Sequence, residues 1–124
     1  MRQVTIDDVG GKACYNGRTL AEWAPEAVRD VVTAFDPLQV ILFGSVERGD
    51  DGPDSDLDFL VVLPAVDQPH RHELMAALRC AIAAPVPVDV FVTDPVEIER
   101  RGGVIGSFLY WPLREGRVVY ERVT

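Results

Sequence analysis

The stretch QVILFGSVERGDDGPDSDLDFLVVL, residues 39–63, decides how the chain folds. Its first five residues, QVILF at 39–43, are short, β-branched and almost wholly apolar, the composition of a strand buried on both faces. Gly44-Ser45 ends that strand. VERGDDGPDS at 46–55 holds two glycines, a proline and three aspartates, which predicts a loop or a loop that opens with one helical turn. DLDFLVVL at 56–63 is a second strand, closed by Pro64.

Within that second strand Asp56 and Asp58 are two residues apart, so their carboxylates project to one face while Leu57 and Phe59 face the core. Two carboxylates held so close repel unless protons or cations relieve them. A hard divalent ion with oxygen ligands does so economically, and Mg²⁺ commonly takes one or two carboxylates together with substrate phosphates. Asp89 lies in VDVFVT at 88–93, a third strand with apolar neighbours around the charge. If that strand lies beside 56–63, Asp89 faces the same site, and three carboxylates on neighbouring strands suit a two-metal centre. Gly44 lets backbone approach a phosphate, Ser45 offers a hydroxyl, and Arg48 offers a planar fork for phosphate oxygens.

The flanking sequence supplies helices. Val28, Val31, Val32 and Phe35 share one face of a helix over 22–35, with Pro25 in its first turn and Asp36-Pro37 at its end. A second amphipathic helix spans His70 to Ala84, with Leu74, Ala77, Leu78, Ala81 and Ile82 as its core face. DPVEIERR at 94–101 begins a third, with Asp94 as N-cap and Pro95 at the first helical position. Residues 104–113 are ambiguous between helix and strand, and RVVYE at 117–121 is a last short strand. Residues 1–20 are the least readable part: VTI at 4–6 suggests a short strand and NGRT at 16–19 an Asn-Gly turn. The expected fold is α+β (mixed α/β), one domain over 1–124, with helices mainly on one face of the sheet and an N-terminal arm of unassigned role.

Charge narrows the partners. Twenty acidic residues against eleven arginines and the single Lys12 give a formal net charge of −8. Such a surface repels bare nucleic acid and anionic membrane, whereas a nucleotide still binds where a metal ion inverts the local sign. Cys14 and Cys80 form no CxxC pair, and the N-terminus has no apolar signal region, so a reduced, cytoplasmic protein is expected.

The segment LFGSVERGDDGPDSDLDFLVV resembles the signature of the polymerase-β-like nucleotidyltransferase superfamily: an apolar strand, Gly-Ser, about ten residues, then Asp-x-Asp on the next strand. Asp89 matches the family's third acid on a later strand, and Arg48-Gly49 matches a frequent Arg-Gly in its loop. The resemblance covers roughly residues 22–122. In size the chain is similar to the minimal nucleotidyltransferases that accompany HEPN-domain ribonuclease toxins in prokaryotes. The resemblance implies nucleotidyl transfer from ATP with two Mg²⁺ ions. Asp56 and Asp58 would bind both ions, Asp89 would bind one and help activate the attacking hydroxyl, and Gly44 and Ser45 would contact the triphosphate. Val46 and Glu47 depart from the small or basic residues usual there.

Three functions follow: an antitoxin that adenylylates a tyrosine of a HEPN-type toxin, a transferase acting on a small molecule such as an aminoglycoside, and a module that neutralises its partner by contact alone. A homo- or hetero-oligomer is compatible with each. His70 and His72 stand at i and i+2 and read as a solvated helix start, and Arg100-Arg101 as a solvated helix end. Trp23 and Trp111 read as core or interface anchors, with Trp111 the better candidate for a partner surface.

Overall fold

In a computed structural model that describes residues 4–123, the chain forms two sheets. The larger contains β4 (Gln39–Phe43), β5 (Leu57–Val62), β6 (Val88–Thr93) and β7 (Arg117–Glu121), in the order β6-β5-β4-β7. β5 runs antiparallel to β4 and parallel to β6, while β7 pairs antiparallel with β4. Strand alternation divides the core. Val40 and Leu42 of β4, with Leu57, Phe59 and Val61 of β5, point to one face; Ile41, Leu60 and Val62 point to the other. Both sets are buried, which explains why these strands read as unbroken apolar runs.

The first face is covered by the two longest helices, α1 (Leu20–Phe35) and α3 (Arg71–Ala81). The second is covered in part by α4 (Pro95–Arg101) and α5 (Tyr110–Glu115), which bring Ile98 and Leu113 onto Ile41, Leu60 and Leu109. The ambiguous stretch 104–113 therefore resolves into turns followed by α5. Asp94 caps α4 as expected, its side chain accepting from the Glu97 N–H at 2.8 Å, with Pro95 following.

Two helix boundaries differ from expectation. α1 begins at Leu20, one turn before Pro25 could serve as a first-turn residue. The start is set by a capping box: Thr19 Oγ1 accepts from the Glu22 N–H at 3.2 Å, and Glu22 Oε1 accepts from the Thr19 N–H at 2.9 Å. Pro25 consequently sits inside the helix. Asp36 ends it in the left-handed region at φ 45°. α3 stops at Ala81 instead of Ala84, and its C-cap Ile82 is already extended at φ −84° and ψ 111°. Its inner face is Leu74, Met75, Leu78 and Ile82, and Ala77 is exposed.

Residues 6–19 form the second sheet, an antiparallel meander of β1 (Ile6–Val9), β2 (Lys12–Tyr15) and β3 (Arg18–Thr19). Its first strand starts at Ile6, so VTI at 4–6 contributes one residue only. The Asn-Gly signal is met: Asn16 and Gly17 have φ 50° and 80°, the positive pair that a tight primed turn requires. The meander is fastened to α1 by Trp23, buried at 3% exposure, whose Nε1 donates to the Tyr15 carbonyl at 2.7 Å.

Removing the capping oxygen should weaken α1 without touching the larger sheet. Thr19→Ala is expected to cost about 1 kcal/mol, or roughly 4 °C in melting temperature. An unchanged melt would show that the capping box does not set this helix end.

Candidate active site

The acids meet at one end of the large sheet. Asp58 of β5 pairs in register with Asp89 of the parallel strand β6 and with Phe43 of the antiparallel strand β4. Adjacent strands lie about 4.8 Å apart, so these backbones are close neighbours. Asp56 immediately precedes β5, near enough to Asp89 for that carboxyl to raise the proton affinity of Asp56. Leu57 and Phe59, fully buried between and beyond the two acids, anchor the strand so that Asp56 and Asp58 share the opposite face. The neighbourhood of Asp89 is more open than its apolar neighbours suggest: its side chain is half-exposed, with Arg79 of α3 at 3.9 Å.

Crowding shows in the proton affinities. The Asp58 carboxyl is raised to about 6, by burial first and then by the charges of Asp89 and Asp56, with Arg48 offsetting part of the rise. Asp56 is also raised, by burial first and then by the charge and hydrogen bond of Asp89. Among the described residues no three acidic, histidine or cysteine side chains already converge on one ion-sized point. What the three aspartates offer is an all-oxygen donor set whose mutual repulsion a hard divalent cation would relieve. The chemistry of these donors fits such an ion.

Gly44 joins this cluster from the first strand. Its φ is 84°, and a Cβ there would lie 2.2 Å from Asp58 Oδ2. Only glycine satisfies both the backbone and the neighbour. Ser45 opens a single helical turn, α2 (Ser45–Arg48), held by the buried Val46 and closed by Gly49 at φ 82°. Arg48 ends that turn, exposed, with Nε 3.3 Å from Asp50 Oδ2 and near enough to Asp58 to lower its proton affinity. The structure thus brings Gly44, Ser45, Arg48, Asp56, Asp58 and Asp89 to one end of one sheet.

Beside them lies a cleft of about 310 Å³ lined by Phe43, Gly44, Arg48, Phe91, Phe108 and Trp111, among others. Phe43 and Phe91 stand next to Asp58 and Asp89 in the alternation of their strands, so the cleft opens on the acid-bearing face. Trp111 is 58% exposed at this cleft, whereas Trp23 is core. The tryptophans therefore separate, and α5 presents the exposed one. The sequence pattern did not single out Phe43, Phe91 or Phe108. The first two carry a signal of period two, Phe43 lying opposite Asp58 and Phe91 two residues from Asp89, whereas Phe108 sits in a turn and carries none.

It also passed over Tyr15 and Asp51. The Tyr15 phenol is raised by burial, then by the charges of Asp56 and Asp54, which places β2 at the edge of the acidic cluster. Asp51 is buried in the loop between α2 and β5, where Lys12 Nζ reaches its Oδ1 at 2.9 Å.

None of the curated proteins matches the chain. The chain is similar to a crystal structure of a presumed nucleotidyltransferase from Sulfolobus solfataricus, solved at 1.40 Å. The two share 26% identity over 83% of this chain and 81% of the other, with a TM-score of 0.59. Residues 25–113, which carry the Gly-Ser turn and all three aspartates, match the family described as nucleotidyltransferase domain. The chain belongs to that nucleotidyltransferase domain family.

Proposed function

We propose that the protein is a magnesium-dependent nucleotidyltransferase that moves AMP from ATP onto a hydroxyl, that of a tyrosine on a HEPN-type toxin partner, and so acts as an antitoxin in the cytoplasm. The observation that carries this reading is the placing of three mutually repelling carboxylates beside Gly44 and Arg48, with Asp58 raised to about 6. A structural role would not crowd acids this way, because the cost falls on folding and nothing in the fold repays it.

Each residue then has a part. Asp56 and Asp58 would hold two Mg²⁺ ions, with Asp89 completing the set for one of them. Bound, the ions would neutralise the triphosphate and the charge that develops during transfer. Gly44 leaves room for phosphate against the backbone, the Ser45 hydroxyl donates to it, and Arg48 forks onto its outer oxygens. The acceptor oxygen attacks the α-phosphorus, the bond to pyrophosphate breaks, and Asp89, whose side chain is half-exposed, takes the acceptor's proton.

An acceptor on another protein is favoured by the apolar side chains around the cleft. Trp111, in the cleft lining, is 58% exposed, and a partner surface would cover it. A cationic small molecule such as an aminoglycoside is the second reading, favoured by Glu115 in the cleft lining and the net charge of −8.

Labelled ATP and Mg²⁺, incubated with and without the protein encoded alongside, should put label on that partner. Asp56→Ala and Asp58→Ala should each lower transfer by at least about a hundredfold, the loss typical when a charge-stabilising group is removed. Label on aminoglycosides alone would select the second reading. Full neutralisation of the partner by both variants, with no label moved, would show a contact-only module instead.

Asp58 supplies a separate test. Its carboxyl binds protons more tightly in the folded state, at about 6, than in the unfolded chain, near 4. The stability this lends is fully present below about pH 4 and is lost as pH rises through about 6. Without metal, Asp58→Asn should therefore melt higher than wild type at about pH 7.5, by the equivalent of roughly 1 kcal/mol once solvent screening of a half-exposed group is discounted. The gap should close near pH 4, and Mg²⁺ should narrow it at neutral pH. Identical pH dependence in both proteins would contradict the crowded-site reading.

A further inference from the structure

The N-terminal meander lies outside the segment matched to the family, which begins at residue 25. It nevertheless reaches the loop that joins the Gly-Ser turn to the aspartates. Lys12 Nζ lies 2.9 Å from Asp51 Oδ1 and 3.5 Å from the Gly49 carbonyl oxygen. The Asp51 side chain is only 2% exposed, whereas that of Lys12 is 39% exposed. A carboxylate so buried is unfavourable without a cation, and among the described residues Lys12 is the one shown to pair with it. The other end of β2 is fixed independently: Trp23 of α1 donates to the Tyr15 carbonyl, and Tyr15 itself is buried. β2 is thus anchored to the rigid helix at Tyr15 and to the mobile-prone sequence GDDGPDS, residues 49–55, at Lys12.

The loop carries two glycines and a proline. Its start is held to α2 by the Gly49 and Asp50 N–H bonds to the Val46 and Ser45 carbonyls and by the Arg48–Asp50 pair. Its far end is held by the Gly52 N–H to Ser55 Oγ bond at 2.8 Å and the Ser55 N–H to Gly52 carbonyl bond at 3.2 Å, which leaves Lys12 to fix Asp51 between them. Yet Arg48 stands at its start and Asp56 at its end. Both must hold position if a triphosphate is to span them.

We propose that Lys12 is a positioning residue: through Asp51 it braces loop 49–55, and so sets the distance between Arg48 and Asp56 that the nucleotide site requires. This rests on the functional reading above. The brace acts on substrate affinity and leaves the chemical step alone, because Lys12 touches neither the acids nor the cleft.

The test uses Lys12→Met and Lys12→Arg in the full chain, with Mg·ATP as the probe. Lys12→Met should raise the KM for ATP about tenfold with kcat within about twofold of wild type, and Lys12→Arg should restore most of the affinity. Hydrogen exchange should quicken in Lys12→Met at residues 49–55 and stay unchanged in α1 and β5. Exchange at 49–55 equal to wild type overturns the brace whether or not the protein binds nucleotide. Faster exchange throughout the chain, or kcat and KM lost together, marks Lys12 as merely structural and also overturns it. Wild type that fails to bind Mg·ATP, with the local exchange change present, overturns the nucleotide site and the purpose assigned to the brace while leaving the contact itself established.

Discussion

The register of β5 between its neighbours is the constraint from which the site follows. Antiparallel pairing with β4 sets Phe43 opposite Asp58, and parallel pairing with β6 sets Asp89 there too. A slip of one residue would turn Asp58, and Asp56 just before the strand, into the face packed under α1 and α3 and bring Leu57 and Phe59 out. Leu57, Phe59, Leu60 and Val61 are all buried completely, so the slip would expose the centre of the core. Hydrophobic burial therefore holds in place a group of charges that would otherwise separate.

That arrangement has an electrostatic consequence. Asp56, Asp58 and Asp89 sit where the sheet ends, and the charge of Asp89 raises the proton affinity of both Asp56 and Asp58. Arg48 and Arg79 offset part of this from two sides, one at the end of α2 and one on α3. Neither closes an ion pair with Asp58, so the repulsion is reduced and not removed. The site is held ready for positive charge that the chain itself does not supply in full.

Much of this could be read in the sequence, for reasons that differ by element. β4, β5 and β6 were legible because burial on both faces leaves uninterrupted apolar runs, and the shared face of Asp56 and Asp58 needs only the period of a strand. The approach of Asp89 required the order β6-β5-β4-β7, a long-range matter that the β5–α3–β6 succession suggested but local pattern did not contain. The start of α1 was misplaced because Pro25 is a strong local signal and the Thr19–Glu22 box a quiet one. Alanines misled in α3, where Ala77 fits the helical spacing but has too little surface for its burial to matter. The role of residues 6–19 was hidden altogether. Their key contact joins Lys12 to Asp51 across 39 positions, and neither residue is unusual in its own surroundings.

Gly44 and Asp58 illustrate how tightly the two halves of the site are joined. A single methyl group at position 44 would collide with a carboxylate oxygen of Asp58. The turn and the acid are therefore one steric unit, and Gly44 cannot be exchanged in evolution or in design while Asp58 is kept. No comparable interlock ties down residues 103–106, exposed turns between α4 and α5 that lead into the cleft wall. Divergence within this architecture has a natural division: the donor half of the site is interlocked and resists change, while the segment leading to the cleft is free to acquire a new acceptor.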